Sequence, residues 1–252
     1  MGQGRGRSRL FSHLVHGLLC YNMSTVTTPA RTEPVKIKER EMPLTGVQEK
    51  KLDTGRSART MLPIELDGVE IVLEARAYQG KDEHTQAMAL INRGKGPEAG
   101  TAPLVRVHSG CVTGDIFHSL RCDCRAQLDA ALRRIAETPN GVLIYLPYHE
   151  GRGIGLFKKI KAYALQDQGR DTVDANLEIG EPVDAREYEL AAEILQDLGF
   201  TKIRLMTNNP AKIEALEDAG IEILDRVAVV TNPSAHNERY LETKRRRMSH
   251  KL

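Results

Sequence analysis

Apolar and polar residues alternate through IELDGVEIVLEARAY at 64–78, and an Asp67–Gly68 pair breaks the alternation early. A period of two around an Asp-Gly turn predicts a β-hairpin, with ordered structure beginning at Leu62. A further strand is expected over 87–91, a loop through the Gly- and Pro-rich stretch 92–103, and a strand over 104–108. The period then changes. Leu128, Ala131, Leu132 and Ile135 share one face of a helix that must stop before Pro139-Asn140-Gly141, which puts Cys122 and Cys124 near its start. The apolar run 142–146 reads as a buried strand, followed by a helix over 156–168 closed by Gly169. A helix over 187–198, a strand over 202–206, a helix over 211–218 and a strand over 221–224 complete the pattern. Such alternation predicts an α/β fold: a mixed sheet layered with helices, a single domain over 61–252, with ligands at the carboxyl ends of strands.

Residues 1–60 do not share this pattern. Arg5, Arg7 and Arg9 precede a Thr, Pro, Lys and Arg mixture, and no acidic residue occurs before Glu33, so a flexible, disordered basic arm is expected. The apolar piece from Leu10 to Tyr21 is interrupted by His13 and His16 and is too short to span a bilayer. The same composition also suits a transit peptide, or sequence ahead of a true start at Met23. With 36 Lys and Arg against 34 Asp and Glu, bulk charge does not point to nucleic acid, and any anion site has to be built locally. A hydrophobic content of 40% is that of a globular protein rather than a fibre or membrane protein.

The chemistry concentrates between Arg106 and Gln127. Three of the four cysteines lie there as C-x10-C-x-C, at Cys111, Cys122 and Cys124, with His108 and His118 interleaved. Thiolates are soft ligands that suit tetrahedral Zn²⁺, and three of them leave one position open for water, as in a catalytic site. Spacing alone leaves two other readings: a closed structural site completed by His108, His118 or His149, or three reduced thiols without metal. Clustered thiols argue against a disulfide framework and for a reducing, cytoplasmic compartment. No P-loop occurs, and GRGIG at 151–155 lacks the dinucleotide-binding spacing, so its glycines are expected to admit a ligand close to the backbone. Taken singly, other residues read blandly. Asp184 with Glu187 looks like a helix cap with its capping box, Tyr163 like a core aromatic, and Gln127 and Lys212 like exposed helix residues. Lys244–Arg247 reads as a solvated helix end.

The string HSxCxTGDxxxSLRCDC closely resembles the zinc-binding segment of the GTP cyclohydrolase II family. The resemblance continues in HEGRGIGL at 149–156, KAYALQDQGRDTVDAN at 161–176, the D-x-R of Asp184 to Arg186, LMTNNPAKI at 205–213 and HNERYLETK at 236–244. It implies a hydrolase in which Cys111, Cys122 and Cys124 hold one Zn²⁺ per subunit and a zinc-activated water attacks guanine C8. Formate and diphosphate leave, the latter with Mg²⁺ on the triphosphate, and the product feeds riboflavin biosynthesis. It implies that Arg106, Val107, His108, Ser109, Gly151, Arg152, Thr172, Thr207 and Lys212 bind the nucleotide, with Gln127 and Glu150 reading guanine. Tyr163 is then placed near the metal-bound water, Asp184 as a base and Arg186 as a nucleophile at the α-phosphorus, although a guanidinium is protonated at ordinary pH. The resemblance further implies a cytoplasmic homodimer, without membrane or nucleic-acid partner. Three flanking positions depart from the family: Gly110 where glutamate is common, Arg125 where glycine is common, and His149 where glutamine is frequent. Altered efficiency, rather than altered chemistry, is the expectation from these.

Overall fold

A computed structural model describes residues 56–94 and 101–251. The expectations for the arm, for Met23 and for the centre of the 92–103 loop lie outside the described residues. Strand β1 (Ser57–Leu66) pairs antiparallel with β2 (Val69–Gln79), and Asp67 (φ 53°) and Gly68 (φ 78°) both take the left-handed conformation of a two-residue hairpin turn. The hairpin starts at Ser57 rather than Leu62. Residues 57–61 are exposed, so backbone pairing out to Tyr78 continues where side-chain alternation no longer marks it.

Strand β3 (Gln86–Ile91) lies antiparallel on β2, and β4 (Leu104–Ser109) is followed, after helix α1 (Cys124–Glu137), by β5 (Val142–Leu146). Helices α2 (Gly155–Asp167), α3 (Thr172–Glu178) and α4 (Glu189–Asp197) precede β6 (Lys202–Met206); α5 (Pro210–Asp218), β7 (Glu222–Val227) and α6 (Glu238–Arg247) complete the order. The seven strands form one sheet in the order β1-β2-β3-β5-β4-β6-β7, antiparallel on the β1 side and parallel from β5 through β4 and β6 to β7. This is the mixed sheet layered with helices that the hydrophobic pattern predicts.

Successive residues of β4 serve opposite layers. Val105 and Val107 join Ile144, Ile203 and Leu205 under Ala191, Ile194 and Leu195 of α4 and Leu216 of α5; Leu104 joins Leu143 and Met206 under Ala131 and Ile135 of α1. Burial on both faces explains why β4 and β5 are nearly continuous apolar runs. Because β4, β5 and β6 are parallel, their carboxyl ends open on one side, and the chain leaves them at 110, 147 and 207. Among the described residues no helix is long and apolar enough to cross a membrane.

The sequence pattern does not reveal α3, which is seven residues long and depends on Asp171 capping the N–H groups of Val173 (2.8 Å) and Asp174 (2.9 Å). Helix α4 begins at Glu189, with Tyr188 at its cap position, so the capping box expected from Asp184 and Glu187 does not form. Asp184 turns instead to Arg186.

Candidate active site

Three thiols meet at the end of β4. Cys111 opens a tight turn over 112–116, Cys124 is the first residue of α1, and Cys122 lies between them; all three Sγ atoms are within 4.8 Å of one another. Cys111 and Cys122 Sγ stand 3.8 Å apart, too far for a disulfide and close to the ~3.8 Å edge of a tetrahedron with ~2.3 Å zinc–sulfur bonds. Gly114 sits beneath them. A Cβ there would fall 2.9 Å from Cys122 Sγ and 3.1 Å from Cys111 Sγ, so only glycine leaves the cluster room. Proximity favours one thiolate, at Cys111, where the neighbouring thiols and Lys159 stabilise it; that anion then pushes Cys122 up to about 11 and Cys124 well above its ordinary value. Full ionisation needs a cation among the sulfurs, so the donor set fits Zn²⁺.

None of the three histidines proposed as a fourth ligand belongs to this group among the described residues. His108 lies against Asp115, with Nε2 3.2 Å from Oδ2, and stacks on Tyr145; Asp115 also accepts from the Tyr145 hydroxyl (2.9 Å) and the Cys111 N–H (2.9 Å). His118 Nε2 is 3.0 Å from an Arg125 nitrogen at the surface. His149 is buried between Tyr148 and Tyr188, with Nε2 2.7 Å from the Glu187 carbonyl and Nδ1 3.1 Å from Ser109 Oγ. A carbonyl only accepts, so Nε2 carries the proton and Nδ1 accepts the Ser109 hydroxyl.

Beside the thiols runs a cleft walled by cations. Arg106 is buried on β4, donating to the Met206 carbonyl (2.9 Å) and Gln127 Oε1 (2.6 Å), while its Nε has no partner. Lys212, on the first turn of α5 behind the Asn209 cap, is also buried and donates to the Val107 carbonyl (2.7 Å). Burial pushes Arg106 down to about 10 and Lys212 well below the usual lysine range, and in both cases Arg186 adds like-charge repulsion. Like charges desolvated together are a site for an anion. Arg186 itself is held strongly protonated: burial opposes its charge, but Asp184 accepts from its Nε at 2.8 Å and outweighs burial. Arg152, with φ 64°, donates to the Val183 carbonyl (3.0 Å) and to the Thr172 hydroxyl at the start of α3.

Most of the residues singled out from the sequence line this cleft, including Ser109, Gln127, Gly151, Tyr163, Thr172 and Thr207. Val107 does not; it is core, contributing its carbonyl to Lys212. Glu150 lies behind the wall, where its carboxylate accepts from Val112 N–H (2.6 Å), Gly151 N–H (3.0 Å) and Lys159 (2.5 Å). Of the three departures, Gly110 has no room for a side chain, since a Cβ would lie 2.9 Å from Pro147 Cα and 3.1 Å from the Tyr145 hydroxyl. Arg125 reaches away from the cleft to Asp129 (2.8 Å) and the Asp115 carbonyl (3.0 Å).

Lys159 is a site residue that residue-by-residue reading passes over. Its ammonium donates to Cys111 Sγ (3.0 Å) and to Glu150, and lies 5.6 Å from the Tyr163 ring, whose other cation is Arg121 at 4.9 Å. Burial works against its charge, but Tyr163, Cys111 and Glu150 outweigh that and keep it protonated. The signal was periodic: Lys159, Ala162, Tyr163 and Gln166 line the cleft from one face of α2. Lys159→Met leaves Glu150 buried without its cation and removes a donor from Cys111 Sγ. Zinc affinity is expected to fall about 10–100-fold, read by chelator competition.

His149 contributes a pH dependence. Burial, reinforced by Arg186 and Lys212, lowers it to about 3. Between pH 6.5 and about 3 the unfolded chain therefore binds a proton that the folded chain refuses, so stability falls as pH falls through that window. Melting temperatures from pH 6.5 to 4 should drop less steeply in His149→Gln than in the parent.

Residues 56–228 match the family model described as GTP cyclohydrolase II. A riboflavin biosynthesis protein RibBA of Rhodococcus erythropolis is 57% identical over 181 residues, covering 71% of this chain and 42% of the relative. The RibBA of Salinispora tropica is 50% identical over 195 residues (73% and 48%). The monofunctional riboflavin biosynthesis protein RIBA 3, chloroplastic, of Arabidopsis thaliana is 50% identical over 181 residues (71% and 35%). The chain thus spans less than half the length of these relatives. The thiol cluster, the parallel strand ends and the cations Arg106, Arg152, Arg186 and Lys212 all fall within the matched residues, and the chain belongs to the GTP cyclohydrolase II family.

Proposed function

We propose that this chain is a zinc-dependent GTP cyclohydrolase II that hydrolyses GTP at guanine C8 and releases formate and diphosphate. The product is 2,5-diamino-6-ribosylamino-4(3H)-pyrimidinone 5′-phosphate, which supplies riboflavin biosynthesis. The observation that carries this reading is a three-thiol group without a fourth protein ligand among the described residues, opening onto the same cleft as the cations Arg106, Arg186 and Lys212. A purely structural zinc site would be closed, and a purely phosphate-binding cleft would need no thiols.

Cys111, Cys122 and Cys124 would hold the zinc, and the chemistry it supplies when bound is Lewis acidity and activation of water for attack on C8. Tyr163 keeps its phenolic proton, since burial raises it to about 12, and so can donate to or orient that water. Gln127 presents its amide oxygen beside Arg106, an acceptor for guanine donors. Arg106, Arg186 and Lys212 receive the phosphates. Since Asp184 makes Arg186 harder to deprotonate, Arg186 acts as a fixed cation at the α-phosphorus rather than as the nucleophile. Among the described residues no Asp or Glu lines the cleft, so Mg²⁺ would arrive on the triphosphate itself.

Exposed Ile116, Phe117 and Leu120 after Cys111, with Leu156, Phe157 and Ile160 on α2, supply the apolar surface expected of a homodimer. Unpaired thiols suit a reducing, cytoplasmic setting. The test is incubation of the purified protein with GTP, Zn²⁺ and Mg²⁺, scoring formate and diphosphate separately. Equal amounts support the proposal. One product alone identifies an early-stopping relative, and GTP binding without turnover overturns the enzyme reading.

A further inference from the structure

The family match ends at residue 228, yet the cleft does not. Tyr240, Lys244, Met248 and His250 line it, and all four come from α6 or the short tail behind it. The segment is fastened at several points. Arg247 pairs with Asp174 (2.8 Å) and Asp171 (2.5 Å) at the start of α3, and Arg239 donates to the Gly169 carbonyl (2.6 Å). The tail then turns back, with the Lys251 N–H on the Asn208 carbonyl (2.9 Å).

The sequence pattern makes Lys244 the first residue of a solvated basic run, but it is buried, 8% exposed, against the face of Tyr240 (4.4 Å). Its ammonium is 3.1 Å from Asp123 Oδ1. Asp123 is 3% exposed and stands between two of the thiols, Cys122 and Cys124. Its other oxygen accepts from the amide of Gln127, whose own oxygen receives Arg106. Lys244 is the cation paired with this buried carboxylate, so its removal leaves Asp123 without a charged partner in the turn that carries Cys122 and Cys124.

We propose that Lys244 is a positioning residue of the active site, acting through Asp123 to hold the Cys122–Cys124 turn in metal-binding geometry. Helix α6 is therefore part of the apparatus of this enzyme, not a cover laid over it. The inference rests on the zinc reading given above, but not on GTP as substrate.

The test is made on the full chain without nucleotide, in the parent, Lys244→Met and Lys244→Arg. Loss of Zn²⁺ to a chromogenic chelator is timed, the thiolate absorption of the Co²⁺-loaded protein is recorded, and melting is followed alongside. Lys244→Met is expected to lose metal about 10–100-fold faster and to shift the Co²⁺ spectrum, while Lys244→Arg keeps both near the parent. Lys244→Gln, a smaller change that also removes the charge, takes the place of Lys244→Met if the latter does not fold. A folded, neutral variant with the parent's release rate and spectrum overturns the proposal. So does a Lys244→Arg protein that releases metal as fast as the neutral one. Parent protein that binds no Zn²⁺ at all would instead sink the metal reading on which the inference stands.

Discussion

Cys122→Ser abolishes formate release while leaving GTP bound: that is the expected result of removing one sulfur from the three-thiol group. Serine is nearly isosteric at a position only 8% exposed, so the fold should tolerate it. A hydroxyl is a hard, weakly acidic donor that cannot replace a thiolate toward zinc. Among the described residues no histidine or carboxylate joins the group, so nothing stands by to substitute. The cations belong to other elements, Arg106 to β4 and Lys212 to α5, and do not depend on the sulfurs for their placement. Metal content should therefore fall well below one per chain and formate to background, with nucleotide affinity within a few-fold of the parent. Parent-like formate release from a metal-free Cys122→Ser protein would remove the metal from the reaction.

Arg186→Lys should do the reverse. Arg186 holds Asp184 through two nitrogens and reaches toward Ser109 Oγ (3.5 Å) with a third, a planar fork that an ammonium cannot reproduce. The charge survives and its geometry does not. Loss of one preorganised electrostatic contact to a transition state costs on the order of 10²–10³ in kcat, so diphosphate release should fall by that factor while zinc content stays at the parent's level. A nucleophilic guanidinium would predict total loss, and a purely structural Asp184–Arg186 pair would change the melting temperature without changing kcat.

Where pattern and chemistry coincide, the sequence was a sufficient guide. Val142–Leu146 is a strand at the boundaries that its apolar run marks, because burial on both faces leaves such a run no other use, and Lys202–Met206 is likewise a strand over its expected residues. Local chemistry was equally legible at the Asp67–Gly68 turn, in the thiol spacing, and in the placing of Lys212 one turn into a helix at a strand end. Failures came where a residue's role depends on which partner the fold sets against it, whether near or far along the chain. Asp184 lost its expected cap because α4 begins only at Glu189, and its carboxylate instead takes the backbone N–H and guanidinium of Arg186. Lys159 and Lys244 look like any surface lysine until folding brings Glu150 and Asp123 against them.

Composition and periodicity by themselves thus determined the α/β sheet, the strand ends where a site would form and the clustering of three thiols near one of them, since these follow from local geometry and side-chain chemistry. Only the tertiary structure decided which cations are buried, which histidines are spent on other partners, and that the last helix closes the cleft. Desolvation and pairing are properties of neighbours, and those neighbours stand up to 121 positions apart in the chain.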